Sequence, residues 1–246
     1  MDVPLVLMRV ANHLEHTFVP HLDCSDLPGR DGDEATKRSR ALAAFCVSSL
    51  TGVDEIEAAK CVVDGYGDQG IDAVFFHNEA NRLYIVQSKW RQNGRSSVGT
   101  DDCSKFLRGV RLLVAADFAS FNSKLQPRSA EITDALSRSD VEVILVLACS
   151  SQPDLPADTK SDIDAFLAFQ NGAIDVDIFK FEWFNLSRVY ASISSQSHIG
   201  HIRFQIGLSQ WGTIIPRLVD QNLCRRRPRS RGRSLLSADQ GWTGHD

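Results

Sequence analysis

Three side chains of different chemical character lie near one another in the sequence, where two extended runs follow a glycine-rich turn. Asp72 opens the first run, and Gln87 and Lys89 are two residues apart near the end of the second. Carboxylate and amide oxygens suit Mg²⁺, a hard cation that keeps several waters and binds substrate phosphates. A lysine beside such a cation can orient an attacking water or neutralise developing negative charge. These residue types predict phosphodiester hydrolysis, with Asp72 as the principal metal ligand.

The two runs, residues 71–77 and 83–90, predict an antiparallel hairpin because both are rich in β-branched and aromatic residues. With the turn centred between residues 79 and 80, Asp72 lies opposite Gln87 on one face. The two-residue repeat of a strand puts Lys89 on that face as well. Apolar residues on both faces predict that both runs are central strands. The backbone carbonyl of Ser88 is a further candidate metal ligand.

Helices and strands on either side of the hairpin must position it. Apolar periodicity and capping residues predict helices over residues 39–50, 54–63, 101–116, 129–137 and 162–169, and further strands over 141–148 and 174–181. Strands that alternate with helices indicate an α/β fold, with a mixed sheet flanked by helices.

The residues around the hairpin also resemble those of a known group of proteins. The motifs are Asp64-Gly-x-x-Asp68-x-Gly70-Ile71-Asp72-Ala73 and Ile85-Val86-Gln87-Ser88-Lys89-Trp90. They resemble the abortive-infection phage resistance (AIPR) family and, more broadly, Mrr-like restriction endonucleases of the PD-(D/E)xK type, which often carry Q-x-K in place of E-x-K. The resemblance implies a restriction-endonuclease-like fold, Mg²⁺ dependence, catalytic roles for Asp72, Gln87 and Lys89, and action on nucleic acid in bacterial phage defence.

Two further aspartates of the turn, Asp64 and Asp68, are open to two interpretations. They can add carboxylates to a second metal, with Asp68 a candidate ligand beside Asp72 and Gln87, or they can stabilise the turn, where aspartate is common. Gln87 in place of the usual glutamate removes one negative charge, which predicts weaker metal binding. Ordinary roles are the alternative for the other residues: Asp72 can end a turn, and Lys89 can protect a strand edge.

The distribution of charge limits how the chain can contact nucleic acid. The net charge over 246 residues is −4, so any contact must come from a local basic patch. Candidate phosphate-binding residues follow the second strand: Arg91, Arg95, Lys105, Arg108 and Arg111. A solvated helix face is the alternative for the last three. Residues 225–246 hold six arginines and two aspartates, which predicts a disordered tail over 221–246 after a nuclease-like domain over 1–220.

The sequence therefore predicts a Mg²⁺-dependent endonuclease that acts on DNA more readily than on RNA. The alternative is a catalytically inactive or truncated nuclease-fold module that binds nucleic acid or regulates, because AIPR proteins usually run well beyond this length. Nucleases that cut both strands often work as dimers, so a homodimer is one expected form. No apolar run approaches the ~20 residues that cross a bilayer. Six scattered cysteines without a C-x-x-C pair fit a reducing, cytoplasmic setting.

Overall fold

Strands and helices alternate along the chain and build one mixed sheet with helices on both faces. The computed structural model describes residues 5–29, 33–172 and 177–198. Within these ranges the helices are α1 (Leu5–Thr17), α2 (Asp33–Thr51), α3 (Glu55–Lys60), α4 (Thr100–Val114), α5 (Ser129–Leu136), α6 (Ala157–Asn171) and α7 (Leu186–His198), and the strands are β1 (Ala73–His77), β2 (Arg82–Lys89), β3 (Glu142–Cys149) and β4 (Phe179–Phe184). The predicted α/β class, a mixed sheet flanked by helices, is confirmed.

The β1–β2 hairpin has the register that the sequence predicts. Val74 lies opposite Ile85, and His77 lies opposite Arg82. Asn81 closes the turn with a φ of 52°, a left-handed conformation that asparagine tolerates better than most residues. Strand β2 then pairs in parallel with β3, and β3 pairs in parallel with β4, so the order across the sheet is β1-β2-β3-β4.

Strand β1 lies at the edge of the sheet, so the expectation that both hairpin strands are central is wrong for β1. Beyond it, a single antiparallel bridge joins Val62 to Ala73. The strand is apolar on both faces because each face is covered: Phe75 packs into one core cluster and Val74 into the other. The guanidinium of Arg128 donates to the carbonyl of Val74 and so protects the edge.

Two hydrophobic clusters lie on opposite faces of the sheet. Helices α1, α2 and α7 cover the face of Tyr84 and Val86, and α4, α5 and α6 cover the face of Leu83 and Ile85. The alternation along β2 follows the two-residue repeat of a strand. Each fully buried leucine, isoleucine or phenylalanine contributes about 1.5–3 kcal/mol to folding. The packing therefore holds β2, which carries Gln87 and Lys89, between two layers of helices.

Several elements differ from the prediction. The sequence pattern predicts neither α1 nor α7, although α1 buries Leu7, Val10 and Leu14 at helical spacing. Helix α6 begins at Ala157, earlier than predicted, directly after Pro156. Strand β4 begins at Phe179 rather than at 174, and residues 173–176 lie outside the described ranges.

Other predictions concern compartment and chain organisation. No helix in the described part of the chain has the length and apolar character needed to cross a membrane. The cysteines described there are free thiols: Cys24, Cys46, Cys61, Cys103 and Cys149. The predicted boundary at 220 and the arginine-rich tail lie outside the described residues.

Candidate metal centre

Asp72 lies immediately before β1, and its backbone ties that strand to its neighbours. Its amide donates to the carbonyl of Val86 at 2.8 Å, and its own carbonyl accepts from the amides of Val63 and Asp64. The side chain is buried, and its Oδ2 accepts from the amide of Ser88 at 2.7 Å and lies 3.0 Å from the Ser88 hydroxyl oxygen. The carboxylate is therefore held at the point where the hairpin strands meet the glycine-rich turn.

The turn over residues 64–70 folds Asp68 back onto its own backbone. Its Oδ1 accepts from the amide of Gly70 at 2.7 Å, and its Oδ2 accepts from the amide of Gly65 at 3.3 Å. Gly67 and Gly70 have φ values of 82° and 83°, which glycine adopts without steric cost. Gly70 also lies against α4, where an added Cβ would come within 3.0 Å of the amide nitrogen of Phe106. The turn thus needs glycine both for its conformation and for its packing.

This backbone brings three carboxylates together. One oxygen from each of Asp64, Asp68 and Asp72 lies within 4.8 Å of the others. Asp68 and Asp72 are buried, and Asp64 is partly buried. The structure thus places both turn aspartates, Asp64 and Asp68, beside Asp72, an arrangement that the metal-site interpretation of these two residues requires. Asp68 stabilises the turn at the same time, so its two interpretations are compatible.

The electrostatics of this cluster favour a cation. Burial, together with the charges of Asp64 and Asp68, raises the pKa of Asp72 to about 8, and the Ser88 amide and Lys89 oppose the shift. Burial also raises the pKa of Asp64, against the hydrogen bond and charge of Arg40. Carboxylates crowded into a buried site repel one another, and a divalent cation relieves that repulsion. An all-carboxylate oxygen set fits Mg²⁺ or another hard divalent cation.

Gln87 is fully buried, yet neither its Oε1 nor its Nε2 has a hydrogen-bond partner among the described residues. Strand alternation puts it on the face of Ile85, which α4 covers. The flanking residues Val86 and Ser88 both bond to Asp72. An unpaired buried amide is costly and uncommon in folded proteins. Gln87 therefore carries a buried amide without a partner, between two residues that bond to Asp72, and its role as a metal ligand stays a prediction.

The ammonium of Lys89 pairs with Asp102 on α4, whereas the sequence predicts that it lies beside the metal site. Its Nζ lies 3.2 Å from Oδ1 of Asp102 on α4, and its side chain is about one-third exposed at 30%. Arg91 binds the other oxygen of Asp102 at 3.1 Å. The charge of Lys89 is nevertheless close enough to lower the pKa of Asp72. Lys89 is thus electrostatically near the carboxylates while its ammonium is engaged by α4.

The carbonyl of Ser88, the other candidate ligand on β2, also has a partner. It accepts a hydrogen bond from the hydroxyl of Ser39 at 3.0 Å. The Ser88 hydroxyl in turn donates to the carbonyl of Ser39 at 2.8 Å. These contacts fasten β2 to α2 directly behind Asp72.

Most of the predicted phosphate-binding residues make contacts within the protein. Besides Arg91, Lys105 pairs with Asp68, Arg108 donates to the side-chain oxygen of Gln69, and Arg111 lies over the ring of Phe166. Arg95 is exposed in the loop between β2 and α4. The amphipathic character predicted for α4 is confirmed, because Phe106, Leu107, Val110 and Leu113 are buried. Lys105, Arg108 and Arg111 lie on its exposed side.

Sequence reasoning does not identify two residues that shape the site. Arg40 is buried and donates from Nε to Asp64 at 2.7 Å, and Asp102 pairs with Lys89. The position of Arg40, directly before the apolar stretch of α2, is a signal for the first residue, since a buried arginine needs acidic partners. Asp102 has no such signal, because an acidic residue in the first turn of a helix is ordinary.

No protein-family model, curated protein or solved structure matches this chain. The functional assignment therefore depends on the residues and geometry of the site.

Proposed function

We propose that this chain is a Mg²⁺-dependent nuclease of the PD-(D/E)xK type with a restriction-endonuclease-like fold. In this proposal it hydrolyses phosphodiester bonds, in DNA more readily than in RNA, as a cytoplasmic agent of bacterial defence against phage. The observation that carries the proposal is the cluster of the Asp64, Asp68 and Asp72 carboxylates at the end of the hairpin. The unpaired buried amide of Gln87 supports it, because the residues on either side of Gln87 both bond to Asp72. The AIPR-like and Mrr-like motifs supply the substrate class and the biological setting.

In this proposal each residue of the site has a distinct role in hydrolysis. Asp72, Asp64 and Asp68 would hold the cation, with Gln87 as a neutral oxygen ligand. When bound, Mg²⁺ lowers the pKa of a coordinated water and stabilises charge on the phosphate. Arg40 and the Ser88 amide keep the Asp64 and Asp72 carboxylates in place through the Oδ2 atoms. Neither of these bonds involves the Oδ1 atoms of the two carboxylates.

Lys89 provides the positive charge at the reacting phosphate. Its ammonium is partly exposed, so it can turn from Asp102 toward an incoming phosphate. There it would orient the attacking water or neutralise charge in the transition state. Arg95, exposed on the following loop, would contact the phosphate backbone. A homodimer would allow both strands of a duplex to be cut.

The experiment is cleavage of supercoiled plasmid DNA and of single-stranded RNA by the purified full chain, with Mg²⁺ or with EDTA. We expect cleavage that requires Mg²⁺, and a loss of roughly 10²–10³-fold in rate in Lys89→Ala. Lys160→Ala is the matched control, because Lys160 forms an exposed pair with Asp164 on α6. Absence of Mg²⁺-dependent cleavage by folded wild-type protein contradicts the proposal.

A second candidate is a nuclease-fold module that binds nucleic acid without cutting it. The ion pair between Lys89 and Asp102 favours this candidate, since it engages the ammonium that catalysis needs. The same experiment separates the two: a gel shift with plasmid DNA but no cleavage at any Mg²⁺ concentration supports the binding module.

A further inference from the structure

The backbone of helix α4 packs directly against the backbone of the glycine-rich turn. This contact fixes the position of the α4 side chains relative to the carboxylates. A Cβ added to Gly109 would lie 2.4 Å from the carbonyl oxygen of Gln69. A Cβ added to Gly70 would lie 3.0 Å from the amide nitrogen of Phe106. Two glycines, one on each partner, thus allow the turn and the helix to touch, which fixes Lys105 beside Asp68.

Lys105 and Arg40 are the cations that pair with this cluster in the described part of the chain. Nζ of Lys105 lies 2.8 Å from Oδ1 of Asp68, and the lysine side chain is 48% exposed. Arg40, by contrast, is 1% exposed and also binds Asp26 through two nitrogens. Arg40 is therefore a permanent part of the fold, whereas the half-exposed ammonium of Lys105 can move into solvent when another cation takes its place at Asp68.

We propose that Lys105 is the exchangeable counter-ion of the Asp64/Asp68/Asp72 cluster, an inference that rests on the proposed nuclease function. In the metal-free protein its ammonium neutralises Asp68. A divalent cation that binds the cluster takes over this role, and the ammonium swings out on the exposed side of α4. There it meets the phosphates of the nucleic acid, beside Arg108.

Two opposite effects of Lys105 follow from this exchange. Because the ammonium competes with the cation for Asp68, it weakens metal binding. Because the displaced ammonium faces the substrate, it strengthens nucleic-acid binding once the metal is present. Substitution of a residue that merely supports the turn would not strengthen metal binding and weaken nucleic-acid binding at the same time.

The test measures Mg²⁺ affinity by calorimetry and Mn²⁺ affinity by EPR in wild-type full chain and in Lys105→Met. Methionine keeps most of the unbranched length of the side chain and removes its charge. We expect metal binding to tighten by roughly tenfold, since a unit charge near the site is lost from a half-exposed position. Lys105→Arg retains the charge and is expected to bind metal like wild type.

Arg108→Met is the matched control. Arg108 lies on the same exposed side of α4, and its partner is the neutral oxygen of Gln69 rather than a carboxylate. We expect its metal affinity to change by less than about threefold, because its charge has no carboxylate partner. Both methionine variants are expected to bind a DNA duplex more weakly in Mg²⁺, and thermal melting confirms that both are folded.

The outcomes separate this inference from the function on which it rests. Tighter metal binding in Lys105→Met, without the same change in Arg108→Met, supports the exchange. Equal or weaker metal binding in Lys105→Met overturns the exchange and leaves the nuclease proposal intact. If neither wild type nor Lys105→Met binds Mg²⁺ or Mn²⁺, the exchange and the proposed metal centre both fail.

Discussion

Two fully buried polar side chains near the site, Arg40 and Gln87, differ in how many hydrogen bonds the protein provides to them. Arg40 donates five hydrogen bonds, to Asp26, Asp64 and the carbonyl of Asp23. Gln87 has no partner for either of its amide atoms among the described residues. Burying a polar group is costly unless hydrogen bonds replace those to water.

The difference separates a structural anchor from a functional position. Arg40 on α2 joins the loop of Asp23 and Asp26 to the turn of Asp64, so its cost of burial is offset by the contacts it makes. No hydrogen bond from the described residues offsets the cost of burying the Gln87 amide. Violations of this kind concentrate where a sequence serves activity rather than stability. The comparison predicts that changes at the two positions have opposite effects on stability.

The largest expected effect is at Arg40. Arg40→Met keeps the aliphatic part of the side chain but leaves Asp26 and Asp64 without their cation, so we expect the free energy of unfolding to fall by about 3–5 kcal/mol. Urea denaturation measures the change. Arg38→Met, on the same helix, removes a partly exposed pair with Glu15 and is expected to cost no more than about 1 kcal/mol. Equal losses in the two variants would contradict the special role of Arg40.

The next effect concerns Asp72 and depends on pH. Its pKa rises from an ordinary 3.8 to about 8 on folding, so its contribution to stability is present below pH 3.8 and is lost as the pH rises toward 8. Asp72→Asn removes this penalty and keeps an oxygen for Ser88. We expect the variant to be more stable than wild type by about 1–2 kcal/mol at pH 8.5, with a smaller difference at pH 4.5, and to lose cleavage.

Urea denaturation at both pH values checks this prediction in the absence of divalent cations. Asp164→Asn is the control, because Asp164 is exposed on α6 and pairs with Lys160. A variant at position 72 that is less stable than wild type at pH 8.5 would show that the carboxylate is already neutralised within the protein.

The smallest expected effect sharpens the comparison at Gln87. Gln87→Met has a similar shape and no unpaired amide, so we expect the free energy of unfolding to rise by about 1 kcal/mol while Mg²⁺ affinity falls. Gln87→Glu is the opposite change: it adds a ligand charge, so Mg²⁺ binds more tightly and the metal-free protein is less stable. Calorimetry and urea denaturation measure both properties. A destabilised Gln87→Met would mean that the amide has a partner, and the contrast with Arg40 would not hold.

Local patterns were sufficient to predict the part of the fold that bears the candidate site. The hairpin register follows from two apolar runs and the position of the turn between them, and it agrees at every pair of β1 and β2. Helix α4 follows from its apolar face. Strand β1 could not be placed at the edge of the sheet, because the cover provided by α2 and α5 makes it as apolar as a central strand.

The candidate site was predictable to a lesser degree. Asp72 and Gln87 can be identified by residue type and by their positions in the predicted hairpin. The sequence names Asp64 and Asp68 as candidates, but whether they lie beside Asp72 depends on the conformation of the turn at Gly67 and Gly70, which sequence patterns do not specify.

The sequence by itself determined which residues the hairpin carries and in which register, because strand pairing follows from local periodicity and a short turn. The tertiary structure alone decided which charges meet: Asp102 with Lys89, Lys105 with Asp68, and Arg40 with Asp64. These partners come from different elements, and their distances depend on how α2 and α4 pack against the sheet and the turn. Packing of distant segments is a property of the whole core, so it leaves little trace in the spacing of the residues that it brings together.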